Sequence, residues 1–169
     1  MSTSPAPARR PHWPHCRRGA DPTTDPVGCC GIHVPGYTTC LAHLDDRGRN
    51  TYLASLTPGA DIDHRGTPFT QNLLQSLLRS LRDPTTGKPH LGKAWFSRAT
   101  FTGPAHFDGA RFAGGALFHE ATFTHDARFD SVTFSDHAEF GGGDLHGRRH
   151  VQRGDVREGR RVPRGEVRQ

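Results

Sequence analysis

Apolar residues are scarce in this chain. They make up 33% of its 169 residues, set against 20 Gly and 13 Pro, too few for an ordinary globular core of that length. Long hydrophobic runs are missing as well. Nothing approaches the roughly 20 consecutive apolar residues that cross a bilayer, which excludes a membrane span. Residues 1–12 carry Arg9 and Arg10 among Pro and Ala and lack the apolar stretch of a secretory signal, so the sequence predicts a cytoplasmic protein. With two Trp and two Tyr, any aromatic core must be built from the ten Phe. Catalytic signatures are wanting too: Ser97, Ser131 and Ser135 sit in no nucleophile elbow, and Gly141, Gly142 and Gly143 open no helix that could hold a phosphate. His106, His119, His125 and His137 stand between the Phe positions and are expected to face water. The sequence therefore offers no catalytic residue and no organic cofactor site.

The charge is uneven. A net +5 suggests a polyanion partner, but residues 1–18 hold four Arg and no acid, 141–169 hold eight Arg against four acids, and 94–140 hold three Arg against six acids. Basic ends flank a mildly acidic middle, so the ends read as solvated arms and a nucleic-acid partner is disfavoured.

What the chain does have is a rhythm. Nine Phe, at 96, 101, 107, 112, 118, 123, 129, 134 and 140, alternate at steps of five and six. Two residues before each stands a small side chain: Ala94, Ala99, Ala105, Ala110, Ala116, Ala121, Ala127, Val132 or Ala138. Neither the helical period nor strand alternation fits, and a fixed short repeat marks a solenoid. The spacing predicts a chain that turns a corner once per repeat, with Phe pointing to the axis and the small residue making room for the stacked rings. Thr100, His106, Asp108, Arg111, His119, Glu120 and Arg128 are expected to face solvent. Four faces make a coil of 22 residues, so 94–140 provides about two coils, a body about 10 Å tall at the spacing of paired strands.

These residues resemble the pentapeptide-repeat family, in its Phe-centred branch. The resemblance implies a mainly β fold, a short right-handed quadrilateral β-helix, and a non-enzymatic interaction surface. Ala60-Asp61-Ile62-Asp63-His64 matches the family unit with Ile62 as its centre. Gly28-Cys29-Cys30-Gly31 and Cys40-Leu41-Ala42-His43-Leu44 look similar to leaders that precede Phe-type repeats in actinobacterial members. Some members are implied to mimic duplex DNA with a long acidic rod. Two coils at −3 are too short and too weakly charged for that, so a gyrase-associated or nucleic-acid-binding protein is kept as the alternative to a scaffold for an unknown protein partner.

Before the repeats, Thr67-Pro68 supplies a helix N-cap and first residue, and Phe69, Leu73, Leu74, Leu77, Leu78 and Leu81 recur on one face. The sequence predicts a helix over 68–82 whose Leu face caps the open end of the first coil; a dimerisation helix, and with it a homodimer, is the alternative. A shorter helix is predicted over 46–55.

The four cysteines fall in Cys16-x12-Cys29-Cys30-x9-Cys40-x2-His43. In a cytoplasmic protein this pattern suggests metal before disulfides. Cys40 and His43 are spaced to grip one ion, and thiolate plus imidazole suits zinc, which would order a region poor in core residues. The predicted ligands are Cys16, Cys29, Cys40 and His43, with Cys30 as substitute, for one structural zinc. Buried thiols, an incidental disulfide or a redox cysteine are the competing readings.

After Gly143 the Phe and Ala vanish, yet Leu145, Val151, Val156, Val162 and Val167 keep the rhythm, while Arg149 and Arg160 fall where a small residue belongs. Either degenerate repeats continue or the reading frame has shifted. Each of the five is followed by a residue whose codons can begin with C, so a shift of one base can restore Phe at all five, and the frame shift is favoured. The predicted organisation is an arm at 1–12, a Cys/His leader with a short helix at 13–59, a repeat-like strand and capping helix at 60–93, the β-helix at 94–140, and an Arg-rich, truncated-looking tail at 141–169.

Overall fold

The computed structural model describes residues 9–142 and the backbone of 149–150. Helix α1, Asp46–Ser55, matches the predicted span; Asp45 caps it by accepting from the Gly48 N–H at 2.7 Å. The first coil then runs through β1 (Ile62–Asp63), β2 (Pro68–Phe69), helix α2 (Gln71–Ser80) and β3 (His90–Leu91). The second has four strands, β4 (Ala94–Trp95), β5 (Thr100–Phe101), β6 (Ala105–His106) and β7 (Arg111–Phe112). The third repeats them as β8 (Ala116–Leu117), β9 (Thr122–Phe123), β10 (Ala127–Arg128) and β11 (Thr133–Phe134). β12 (Ala138–Glu139) begins the next coil, and β13 (Arg149–His150) extends the third face.

The described strands pair in parallel, in four ladders: β1-β4-β8-β12, β2-β5-β9, β6-β10-β13 and β3-β7-β11. Ala94 pairs with Ala116 and Ala116 with Ala138, the 22-residue step of the sequence. Stacked two-residue strands of this kind form a β-helix solenoid. Within it, ring sits on ring: Phe101 on Phe123 at 4.7 Å, Phe118 on Phe140 at 4.8 Å, Phe107 on Phe129 at 5.0 Å, Phe112 on Phe134 at 5.1 Å and Phe96 on Phe118 at 5.2 Å. Those distances follow the spacing of hydrogen-bonded strands. Rings from neighbouring faces meet edge-on, as Phe107 does with Phe118 at 5.6 Å and 83°, the arrangement that the ring quadrupole favours. The small residues from Ala94 to Val132 are buried beside them. Phe134 is half-buried and Phe140 is 40% exposed, where the described ladders end. The outward positions are less uniformly wet than expected: Thr100, His106 and Asp108 are half-buried, whereas Arg111, His119, Glu120 and Arg128 are exposed.

The alternation of five and six has a backbone cause. In each five-residue corner, the second residue past the ring takes positive φ: Gly66, Arg98 (+57°), Glu120 (+55°) and Gly142 after the first ladder, Gly109 and Ser131 (+57°) after the third. The left-handed conformation costs an L-residue about 1–2 kcal/mol, while glycine loses about 0.5–1 kcal/mol more chain entropy on folding. Ser131→Gly is therefore expected to raise stability by about 0.5 kcal/mol. A lower urea midpoint for that variant would mean that the corner is not strained.

The first coil departs from the predictions in two places. Ile62 is not a ring-position centre: it pairs with Ala94 and occupies the small-residue position, so His64 stands in register with Phe96. The helix does not start at Thr67-Pro68, because Pro68–Phe69 pairs with Thr100–Phe101 and Phe69 stacks on Phe101 at 5.3 Å. Thr70 is the cap instead, its Oγ1 accepting from the Leu73 N–H at 3.2 Å. From there α2 stands where a third-face strand would be and packs against β6. Leu73, Leu74, Leu77, Leu78 and the following Leu81 are all buried, so the Leu face is used within the chain.

His64 is wholly buried at the base of the first ring column, edge-on to Phe69, with the Tyr52 hydroxyl of α1 at 3.2 Å from its Nε2. Its Nδ1 has no hydrogen-bond partner among the described residues. Burial holds the imidazole down at about 4, against the pull of Asp63. Between about 4 and the ordinary 6.5 the unfolded chain binds a proton that the folded chain refuses. This contribution to stability is complete above pH 6.5 and is lost as pH falls towards 4, a change of about 3 kcal/mol at 1.36 kcal/mol per unit. His64→Phe is expected to remove that part of the slope. Equal falls in the urea midpoint of both proteins between pH 7 and 4.5 would contradict it.

Candidate metal centre

The leader folds by closing on itself. Cys16 N–H donates to the Gly31 carbonyl at 2.8 Å, Arg17 N–H to the Cys29 carbonyl at 2.9 Å and Cys29 N–H to the Arg18 carbonyl at 3.0 Å. At Gly28 (φ +62°) a Cβ would lie 2.7 Å from the Ala20 nitrogen and 2.8 Å from the Arg17 carbonyl, so only glycine lets the two arms approach. That closure sets Cys29 beside Cys16. A short 3-10 helix, Leu41–His43, with Cys40 as its N-cap, brings Cys40 and His43 to one side. Gly31 makes room, since a Cβ there would be 2.5 Å from the Cys40 Cβ and 2.7 Å from its sulfur.

The result is a cluster. Cys16 Sγ lies 3.3 Å and Cys40 Sγ 3.4 Å from His43 Nδ1, Cys29 Sγ lies 3.8 Å from Cys40 Sγ, and all four donor atoms fall within 4.8 Å of one another. These are the four residues singled out by the sequence. Cys30, the substitute, is not among them: its sulfur turns to the Gly28 carbonyl at 3.7 Å, because consecutive residues of an extended arm face opposite ways. All four cysteines are thiols. The hydrogen bond between Cys29 and Cys40, opposed by burial and helped by the Gly31 N–H, draws the Cys29 thiol down to about 5. The same bond, with burial, pushes Cys40 up. Three sulfurs and an imidazole thus converge in one site, soft donors in the number that a tetrahedral dication takes.

The centre is tied to the solenoid by residues that sequence reasoning missed. Trp13 lies under two guanidinium groups, Arg65 at 4.9 Å and Arg98 at 5.6 Å from its ring centroid, and donates from Nε1 to the Cys30 carbonyl at 2.8 Å. Arg65 is itself held by Asp63 at 2.7 Å, and its carbonyl accepts from the Ile32 N–H at 2.8 Å. A hollow of about 490 Å³ opens beside the cluster, lined by Arg18, Cys29, Cys30, His43 and Arg98.

Away from the leader, the stacked strands and rings carry a known pattern. Residues 96–144 match the family model for pentapeptide repeats, in nine copies. No curated protein and no solved structure matches the chain. The pentapeptide repeats so matched begin at Phe96 and leave out the first coil, where His64 replaces a ring and α2 interrupts the spacing. On the repeat surface His119 lies 3.5 Å from Glu120 and His137 lies 3.1 Å from Asp136, both exposed. Among the described residues Ser97, Ser131 and Ser135 make no side-chain hydrogen bond to a histidine. No described helix is long and apolar enough to cross a membrane. Residues 1–8 of the predicted arm, and the tail positions Leu145, Val151, Val156, Arg160, Val162 and Val167, lie outside the described residues. The backbone of Arg149 pairs with Ala127 at the 22-residue step.

Proposed function

We propose that this is a non-enzymatic pentapeptide-repeat scaffold of the cytoplasm, whose leader is stapled to the first coil by one structural zinc held by Cys16, Cys29, Cys40 and His43. The observation that carries the reading is the convergence of those four donor atoms within 4.8 Å from positions spread over the leader. The donor set is the one that zinc prefers, and with four protein ligands the ion keeps no open position for hydrolytic chemistry. Zinc supplies a crosslink here, and the residues supply its geometry. The four ladders, whose rings all meet near one axis, support a right-handed quadrilateral β-helix. A protein partner is the occupant we infer for its outer side. Trp95 and Leu117 stand side by side on outward positions of the first ladder, while Arg128 is paired with Asp108 at 3.7 Å and Asp130 at 3.1 Å instead of awaiting a phosphate.

Metal analysis of the purified full chain tests the centre: one zinc per chain is expected, and none alongside four titratable thiols would overturn it. Partner capture by the zinc-loaded chain, lost on combining Trp95→Ser with Leu117→Ser and kept on His119→Ala, is the result expected of a scaffold. Binding of duplex DNA that falls steeply with salt would point to nucleic acid instead, and a reaction abolished by one His or Ser substitution would make the protein an enzyme.

A further inference from the structure

Two of the four donors in the cluster are placed to react with one another. Cys29 Sγ and Cys40 Sγ are 3.8 Å apart, while Cys16 Sγ lies 3.3 Å from His43 Nδ1. Their surroundings differ. Cys40 is fully buried behind Gly31, whereas Cys29 is half-buried and lines the open hollow of about 490 Å³, where a small oxidant can reach it. Cys30 lines the same hollow but aims its sulfur at the Gly28 carbonyl, away from the cluster.

We propose that hydrogen peroxide oxidises Cys29 and Cys40 to a disulfide and thereby releases the zinc, which makes the staple a redox-sensitive site; this rests on the zinc reading above. Peroxide transfers one oxygen to the Cys29 thiolate as its O–O bond breaks, leaving a sulfenic acid and hydroxide. Cys40 sulfur then attacks Cys29 sulfur; the S–S bond forms and the sulfenic oxygen leaves as a second hydroxide. Two electrons pass from the two sulfurs to the peroxide, and two protons from solvent turn both hydroxides into water. Cys16 and His43 are then the only donors left, half of what a structural zinc needs, and the ion departs.

The test uses the zinc-loaded full chain, with zinc counted before any oxidant is added. Peroxide is expected to release one zinc per disulfide formed, followed with a chromogenic chelator, and alkylation afterwards should mark Cys16 and Cys30 while sparing Cys29 and Cys40. Dithiothreitol and zinc should restore the starting state, and Cys30→Ser should behave like the parent chain. Absence of zinc before oxidation would overturn the zinc reading itself. One zinc per chain that stays bound under peroxide, or that leaves with a disulfide involving Cys16 or Cys30, would overturn the switch alone.

Discussion

Phe118→Ala is expected to lower stability by about 3–5 kcal/mol, the largest loss from any single truncation in the repeats. Phe118 is 1% exposed and sits where two ring columns and two coils meet. It is stacked between Phe96 at 5.2 Å and Phe140 at 4.8 Å, and it meets Phe107 at 5.6 Å and Phe129 at 5.7 Å in edge-to-face contacts. The backbone around it cannot collapse into the void, because Phe118 N–H is bonded to the Glu139 carbonyl at 2.7 Å and the neighbouring strands are pinned at the ladder spacing. The cost is thus transfer of a ring plus an unfilled cavity. Thr122→Ala, at an outward position on β9, removes no ring and should cost under about 1 kcal/mol. Urea unfolding of both variants makes the comparison; similar losses at the two positions would mean that the rings are not the core.

How much of this was legible beforehand depended on repetition. The Phe steps and the small residues before them recur nine times, so one misleading residue could not hide the period, and the 22-residue register followed. The first coil occurs once. Ile62 looked like a centre because it is the largest apolar residue of its unit, yet the paired strand assigns that place to His64, a polar residue no apolar pattern would select. A step of five from His64 back from Phe69 was the available signal. Thr67-Pro68 carried the right chemistry for a helix start, but the strand pairing of Pro68–Phe69 outweighed it, and the cap moved three residues on to Thr70. In the leader, the spacing of Cys40 and His43 fixed a pair by local geometry alone. The choice between Cys29 and Cys30 turned on which way an extended arm faces, which spacing does not encode. The seat of Trp13 on Arg65 and Arg98 joins residues far apart in the chain and left no local trace.

Zinc removal is the second large effect. A ligand that binds only the folded chain adds about 4 kcal/mol when present at 1,000 times its dissociation constant. In a chain of this size that corresponds to a fall in Tm of about 10 °C on chelation, restored by added zinc. The loss should be local before it is global. Residues 13–45 have few buried apolar side chains of their own, chiefly Trp13, Val27, Val34, Leu41 and Leu44, and lean on the staple for order. The rings from Phe96 to Phe129 are buried in the solenoid without reference to the metal. Hydrogen exchange on the chelated protein is therefore expected to quicken first at the Cys16, Arg17 and Cys29 amides, which close the leader, and then at Ile32, which bonds the Arg65 carbonyl, while Phe96, Phe107 and Phe118 stay protected. Acid should act as the chelator does, since zinc holds its thiolates only while protons do not compete. A melting temperature unmoved by chelation would leave the cluster as four neighbouring side chains and no more. Loss of protection that began in the repeats would show instead that the solenoid, not the leader, is what the ion supports.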